Sequence, residues 1–125
     1  MKILLKLEEL AELLTAIVVF AQLPYAWWWL LALFLLPDLS MLGYLAGPRA
    51  GAFSYNMAHH KAVALVMGGL GWWLTQPLLL LAGTVLLFHV AFDRLLGYGL
   101  KYGTSFHDTH LGRTGPPAEA AWPRA

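Results

Sequence analysis

Every lysine and arginine of this chain gathers at one end of the apolar runs that make up most of it. Four such runs, residues 3–22, 27–44, 53–74 and 77–97, read as helices. At roughly 18–22 residues and 1.5 Å rise per residue, each is long enough to cross a hydrocarbon layer of about 30 Å. The connections 23–26 and 75–76 carry no charge, whereas Lys2, Lys6, Arg49, Lys61, Arg94, Lys101, Arg113 and Arg124 lie toward the opposite ends. The positive-inside rule then places both termini and the loop 46–52 in the cytoplasm. The expected fold is all-α: a four-helix transmembrane bundle, up-down-up-down, in an inner membrane. Residues 1–112 would form the membrane domain with its cytoplasmic polar loop, and 113–125 a flexible cytoplasmic tail rich in proline.

Composition supports a chain solvated by lipid. It is 59% hydrophobic and 12% charged, with six tryptophans, a surface that water could not cover but a bilayer could. Membrane lipids are thus its expected partners. A net charge of +1 and the lack of a polybasic arm argue against nucleic acid. With no cysteine, thiolate metal sites, iron–sulfur clusters and disulfides are excluded. Glu8, Glu9 and Glu12 interrupt the first run too early for a signal peptide. Trp27–Trp29 and Trp72–Trp73 fall at the outer boundary, where aromatic side chains anchor helices. The spacing Gly43-Tyr-Leu-Ala-Gly47, followed by Pro48, marks a helix end first and a close helix contact second.

Folding the spans up and down brings their polar residues to one depth, roughly 5–15 Å inside the cytoplasmic boundary by helical rise. Glu8 and Glu12 come early in the first run, Asp38 late in the second, Asn56, His59 and His60 early in the third, and His89 and Asp93 late in the fourth. An ionisable group at that depth costs a few kcal/mol unless it is paired, hydrated or bound. Glu8, Glu12 and Thr15 share a helix face, Asn56, His59 and His60 form a stripe, and His89 and Asp93 stand at i, i+4. Lys61 and Arg94 point away from these stripes and are expected to snorkel to phosphate headgroups. After the fourth run, Gly97, Gly99 and Gly103 end regular helix. The polar segment that follows can turn back across the cytoplasmic mouth with His107, Asp108 and His110, or lie among the headgroups as an interfacial loop.

These residues carry a family resemblance. Pro-Asp-Leu-Ser-Met-Leu-Gly-Tyr at 37–44, Tyr-Asn-Met-Ala-His at 55–59, and His89 with Phe-Asp-Arg at 92–94 are joined by Gly-Tyr-Gly-Leu-Lys-Tyr at 97–102 and Asp-Thr-His-Leu-Gly at 108–112. Together they resemble a family of small bacterial integral membrane proteins known as domain of unknown function 4260, from about Leu7 to Gly112. The resemblance implies a four-span membrane fold with a shared polar site, and brings no activity with it. His60 and His107 stand outside the family pattern.

The site admits several chemistries. Carboxylate and imidazole ligands suit a divalent metal such as zinc, iron or manganese, and helix-bundle cores are a usual place to assemble them. Asp38, His59, His89 and Asp93 would be the metal ligands, with Glu12 and His110 in general acid–base roles. An open metal position would acidify a bound water and permit hydrolysis or oxidation of lipid-borne substrates. Haem, held by His59 or His60 opposite His89, is a weaker fit because haem cavities are mainly apolar. Cation or proton transport is the reading from another class; four spans enclose little, so it would require an oligomer such as a homodimer. A purely structural role, with the polar groups fixing helix register in an accessory subunit, completes the alternatives.

Overall fold

The computed structural model describes residues 1–115. Five α-helices run in order: α1 (Lys2–Ala21), α2 (Trp28–Leu33), α3 (Pro48–Ala58), α4 (Lys61–Trp73) and α5 (Pro77–Leu96), with a 3₁₀ helix at Leu36–Ala46 between α2 and α3. A short antiparallel ribbon closes the described chain. Its strands β1 (Asp108–Thr109) and β2 (Gly112–Arg113) pair Asp108 with Arg113 and Thr109 with Gly112. The fold is therefore all-helical apart from this ribbon.

The first and last apolar runs match α1 and α5 to within a residue or so. The middle two do not. Pro37 has no N–H to give and disfavours α geometry at the residue before it. The second run accordingly leaves α-helix after Leu33 and continues as the 3₁₀ helix, with Asp38 in its first turn. The third run is broken at His59–His60, and its first part reaches back to Pro48. Gly47 takes φ 113°, a conformation that other residues rarely adopt, and Pro48 enters α3 at its first turn. The expected loop at 46–52 is thereby reduced to a single-residue turn.

Helix α5 is the centre of the molecule, packed against α1 on one side and α4 on the other. Glycines set the second contact. A Cβ on Gly83 would lie 2.3 Å from the Gly68 nitrogen, and one on Gly71 2.3 Å from the Leu80 nitrogen. The two backbones thus touch along an antiparallel hairpin turned at 74–76. The 3₁₀ helix and α3 form a second hairpin, in which Gly43 abuts Ser54 and Gly51 abuts the Tyr44 ring. Phe20, Leu30, Leu81 and Val85 join α1 and α2 to α5.

Two segments, Trp28–Ala46 and Pro77–Leu96, are long and apolar enough to cross a membrane. Helix α1 has the length but carries Lys2, Lys6, Glu8, Glu9 and Glu12 between its start and its middle turn, and α4 has 13 residues. Trp72 and Trp73 are exposed at the end of α4, as are Trp27–Trp29 at the start of α2. Of the expected tail at 113–125, Arg113 belongs to β2 and the Thr114 amide donates to the His107 carbonyl. Residues 116–125 lie outside the described residues.

Candidate metal centre

The two hairpins meet at four side chains. Asp38 comes from the 3₁₀ helix, His59 from the end of α3, and His89 and Asp93 from successive turns of α5. His59 Nε2 is 3.0 Å from His89 Nε2, and Asp38 Oδ1 is 3.2 Å from each of them. Asp93 Oδ2 lies 3.2 Å from His89 Nε2 and 3.5 Å from His59 Nε2. His59 and His89 are 0% and 1% exposed, Asp93 14%, and Asp38 32%, so the group opens to its surroundings on the Asp38 side.

The far nitrogens decide the tautomers. His59 Nδ1 is 2.9 Å from the Tyr55 carbonyl, and His89 Nδ1 is 2.6 Å from the Phe34 carbonyl. A carbonyl oxygen only accepts, so both Nδ1 atoms carry hydrogen and donate. In the neutral rings both Nε2 atoms then present lone pairs to each other and to two carboxylate oxygens. Four acceptors converging within 4.8 Å repel unless positive charge stands among them. Imidazoles that ligate metals are held in this way, by a backbone acceptor on the other nitrogen.

Packing fixes the rings in place. Tyr55 stacks on His59 at 3.8 Å between centroids and 10° between planes. Phe34 lies 4.8 Å from the His89 ring and meets Phe88 and Phe92 edge-on. The helix break at His59–His60 is what turns His59 inward. His60 adopts extended geometry, and its Nδ1 accepts from the Ala62 amide at 3.1 Å, capping α4. The His59 carbonyl, released from the helix ladder, accepts from Arg94 Nη2 at 3.0 Å. The two neighbours expected on one stripe therefore separate, one buried and one exposed.

Both cations expected at the headgroups have partners inside the protein. Arg94 is 8% exposed and also donates from Nη1 to the Tyr98 carbonyl at 2.7 Å. Lys61 Nζ lies 2.5 Å from Glu9 Oε1 and 3.0 Å from Glu12 Oε2. Glu12 is accordingly engaged with Lys61 rather than brought among the four converging side chains. His110 is also elsewhere: its Nδ1 accepts from the Leu100 amide at 2.8 Å. Burial, with the Arg94 charge behind it, holds the His110 imidazole below its ordinary pKa. His107 and Asp108 likewise stay outside the group; Asp108 pairs with Thr104 and Arg113.

The segment after α5 folds back across α3. Asn56 donates from Nδ2 to the Lys101 carbonyl at 2.8 Å and accepts the Lys101 amide on Oδ1 at 2.7 Å. Lys101, only 6% exposed, lays its ammonium over the Tyr55 and Phe106 rings and donates to the Phe106 carbonyl at 2.9 Å. Burial lowers its pKa, against the pull of Asp93 and Asp38. Lys101 and the Tyr55–His59 stack are the parts of the site that sequence reasoning missed. One lysine between Leu100 and Tyr102 carries no signal of burial. The 3₁₀ turn that aims Asp38 did carry one, in Pro37.

A helical chain with apolar segments of membrane-crossing length and a buried Asp₂His₂ group able to hold a metal ion defines the class. Within it, the chain belongs to the family described as domain of unknown function (DUF4260), whose model matches residues 2–114. No curated protein and no solved structure matches the chain.

Proposed function

We propose that this is a four-span inner-membrane protein, with both termini cytoplasmic, whose Asp38, His59, His89 and Asp93 hold one divalent metal ion for chemistry on lipid-borne substrates. The convergence of four acceptors, with both imidazole Nδ1 atoms committed to backbone carbonyls, carries the reading. Five of the distances among the ligand atoms run from 3.0 to 3.5 Å. A tetrahedron with bonds of about 2.05 Å has edges of about 3.3 Å, which favours zinc over metals that want six ligands. Bound there, a metal supplies Lewis acidity and a water made acidic near neutral pH.

Two observations favour membrane-borne substrates. Much of the surface is apolar: Leu31, Leu35, Leu39, Leu65 and Val66 are all more than half exposed, far beyond a patch that a soluble monomer tolerates. A groove of about 330 Å³ is lined by Leu33, Leu36, Pro37, Leu78, Ala82, Val85 and Leu86, among others. Its α5 residues continue by steps of three and four to His89 and Asp93. Pro37 adjoins Asp38, the most open ligand, so an acyl chain in the groove would run toward the metal.

The test is metal analysis by mass spectrometry on protein extracted in native lipid without chelator or histidine tag. Near one zinc, iron or manganese per chain is expected, with an absorption spectrum to separate haem from non-haem iron. Asp38→Asn, nearly isosteric, should lose the metal while the protein still elutes as a folded particle; His89→Ala should do the same. Wild-type protein that stays empty after incubation with all three metals, or variants that keep full occupancy, would overturn the assignment.

A further inference from the structure

A second cavity lies apart from the Asp38–His59–His89–Asp93 group. It holds about 640 Å³ and is bounded by the start of α1, the His60–Lys61 junction, Arg94, and the folded-back segment at Leu100 and His110. Its lining is rich in donors. Lys2 and Lys6 stand one turn apart on α1, exposed and without an ion-pair partner among the described residues. Arg94, more than nine-tenths buried, forms part of the wall. Glu9 is the only acid in the lining, and it is bound to Lys61 at 2.5 Å.

The two histidines add to this. His60 Nδ1 accepts from the Ala62 amide and His110 Nδ1 from the Leu100 amide, so in each neutral ring the hydrogen sits on Nε2. Neither Nε2 has an acceptor among the described residues. The cavity thus offers two free ammonium groups and two imidazole N–H donors, backed by the charge of the Arg94 guanidinium, whose terminal nitrogens donate to backbone carbonyls. Leu5, Leu100 and Leu111 supply an apolar portion. This is the complement of an anion rich in oxygen acceptors on a partly apolar molecule, and the volume falls within the range of small-molecule sites.

We propose that this cavity binds a phosphate ester, either the headgroup of a membrane phospholipid or a small soluble phosphate. None of the four residues of the metal group lines it.

The full chain in neutral detergent would be titrated with short-chain phosphatidic acid, glycerol 3-phosphate, inorganic phosphate and diacylglycerol, with binding read by native mass spectrometry. One phosphatidic acid per chain is expected, and none of the diacylglycerol. The double variant Lys2→Gln/Lys6→Gln should weaken binding by about tenfold or more, as two lost cations near an anionic headgroup imply. His110→Asn retains an acceptor for the Leu100 amide and removes the Nε2 donor without changing charge at neutral pH. It should also weaken binding, which diffuse attraction between lysines and an anionic micelle would not predict. Glycerol 3-phosphate or inorganic phosphate matching phosphatidic acid would assign the site to a soluble phosphate. Equal retention of diacylglycerol and phosphatidic acid, or full binding by both variants, would overturn the proposal. Metal content measured on the same samples separates this outcome from failure of the metal assignment.

Discussion

The two hairpins that meet at the metal group are built on opposite principles. In the α4–α5 hairpin both partners are regular helices, and glycine lets their backbones touch at Gly68, Gly71 and Gly83. In the other hairpin a 3₁₀ helix packs on α3, and a side chain ties the two together, with Ser54 Oγ donating to the Ser40 carbonyl at 2.7 Å. The regular hairpin satisfies its backbone internally and can face lipid. The irregular one is tied by side-chain bonds to the backbone, while the outer face of its 3₁₀ helix is apolar and exposed at Leu36, Leu39 and Leu42. Asp38 and His59 come from the irregular hairpin and His89 and Asp93 from the regular one. The site therefore joins a rigid half, which fixes two side chains one turn apart, to a half whose broken backbone aims the other two inward.

That contrast breaks first at the glycine contact. Gly83→Val forces a side chain against the Gly68 nitrogen at 2.3 Å and the Ala64 carbonyl at 2.7 Å, where only backbone movement can relieve it. Overpacking of this kind costs about 1–3 kcal/mol or more, and thermal unfolding in detergent should fall by about 10 °C. Gly69→Ala is the control, since a Cβ there meets nothing within 4 Å; it should unfold at the wild-type temperature. Equal behaviour of the two variants would mean that the hairpin is not held by backbone contact.

The same contrast explains what could be read from the sequence. The regular parts were legible: α1 and α5 match their apolar runs, and α5 ends where Gly97 dictates, with Gly97 at φ 92° and the Tyr98 amide closing onto the Asp93 carbonyl. His89 and Asp93 at i, i+4 on such a helix had to lie together. The four ligand positions were named because an ionisable group within an apolar run needs a partner, and the structure brings those four side chains together. The break at His59–His60 was not legible, for no glycine or proline marks it. It exists because His60 caps α4 locally and Arg94, 35 residues away, meets the freed His59 carbonyl, a contact that only tertiary packing supplies. The inward turn of Arg94 and the pairing of Lys61 with Glu9 were hidden for the same reason: the rule that cations snorkel ignores acceptors supplied by other elements.

The irregular half should yield next at Asn56, which pins the folded-back segment through both backbone groups of Lys101. Asn56→Ala leaves a donor and an acceptor without partners, each worth about 1–3 kcal/mol when buried. Both are only partly buried, so the lower end applies. Protease cleavage within 97–115 should become about tenfold faster, corresponding to about 1.4 kcal/mol. Metal content should be unchanged, because Asn56 is not among the four residues proposed to hold the metal. Unchanged cleavage would show that Lys101, anchored over Tyr55 and Phe106, holds the segment by itself.

The smallest effect belongs to the ribbon at the end of that segment. The Asp108 carboxylate accepts from Thr104 Oγ1 at 2.7 Å and pairs with Arg113, and its pKa is lowered, chiefly by the Thr104 hydrogen bond; desolvation opposes the shift, and Arg113 adds to it. A carboxyl group whose pKa is lower in the folded state stabilises that state above its unfolded value of about 3.9. The contribution disappears as pH falls through the lowered folded value. The Thr114 amide, bonded to the His107 carbonyl at 2.8 Å, reports on the ribbon. Its hydrogen-exchange protection, corrected for intrinsic rate, should be level from pH 7 to 5 and decline a few-fold toward the acid end. Asp108→Asn should begin at the reduced protection and lose the pH dependence. A wild-type ribbon equally protected at both ends of the range would mean that strand pairing, and not the Asp108 charge, holds it closed.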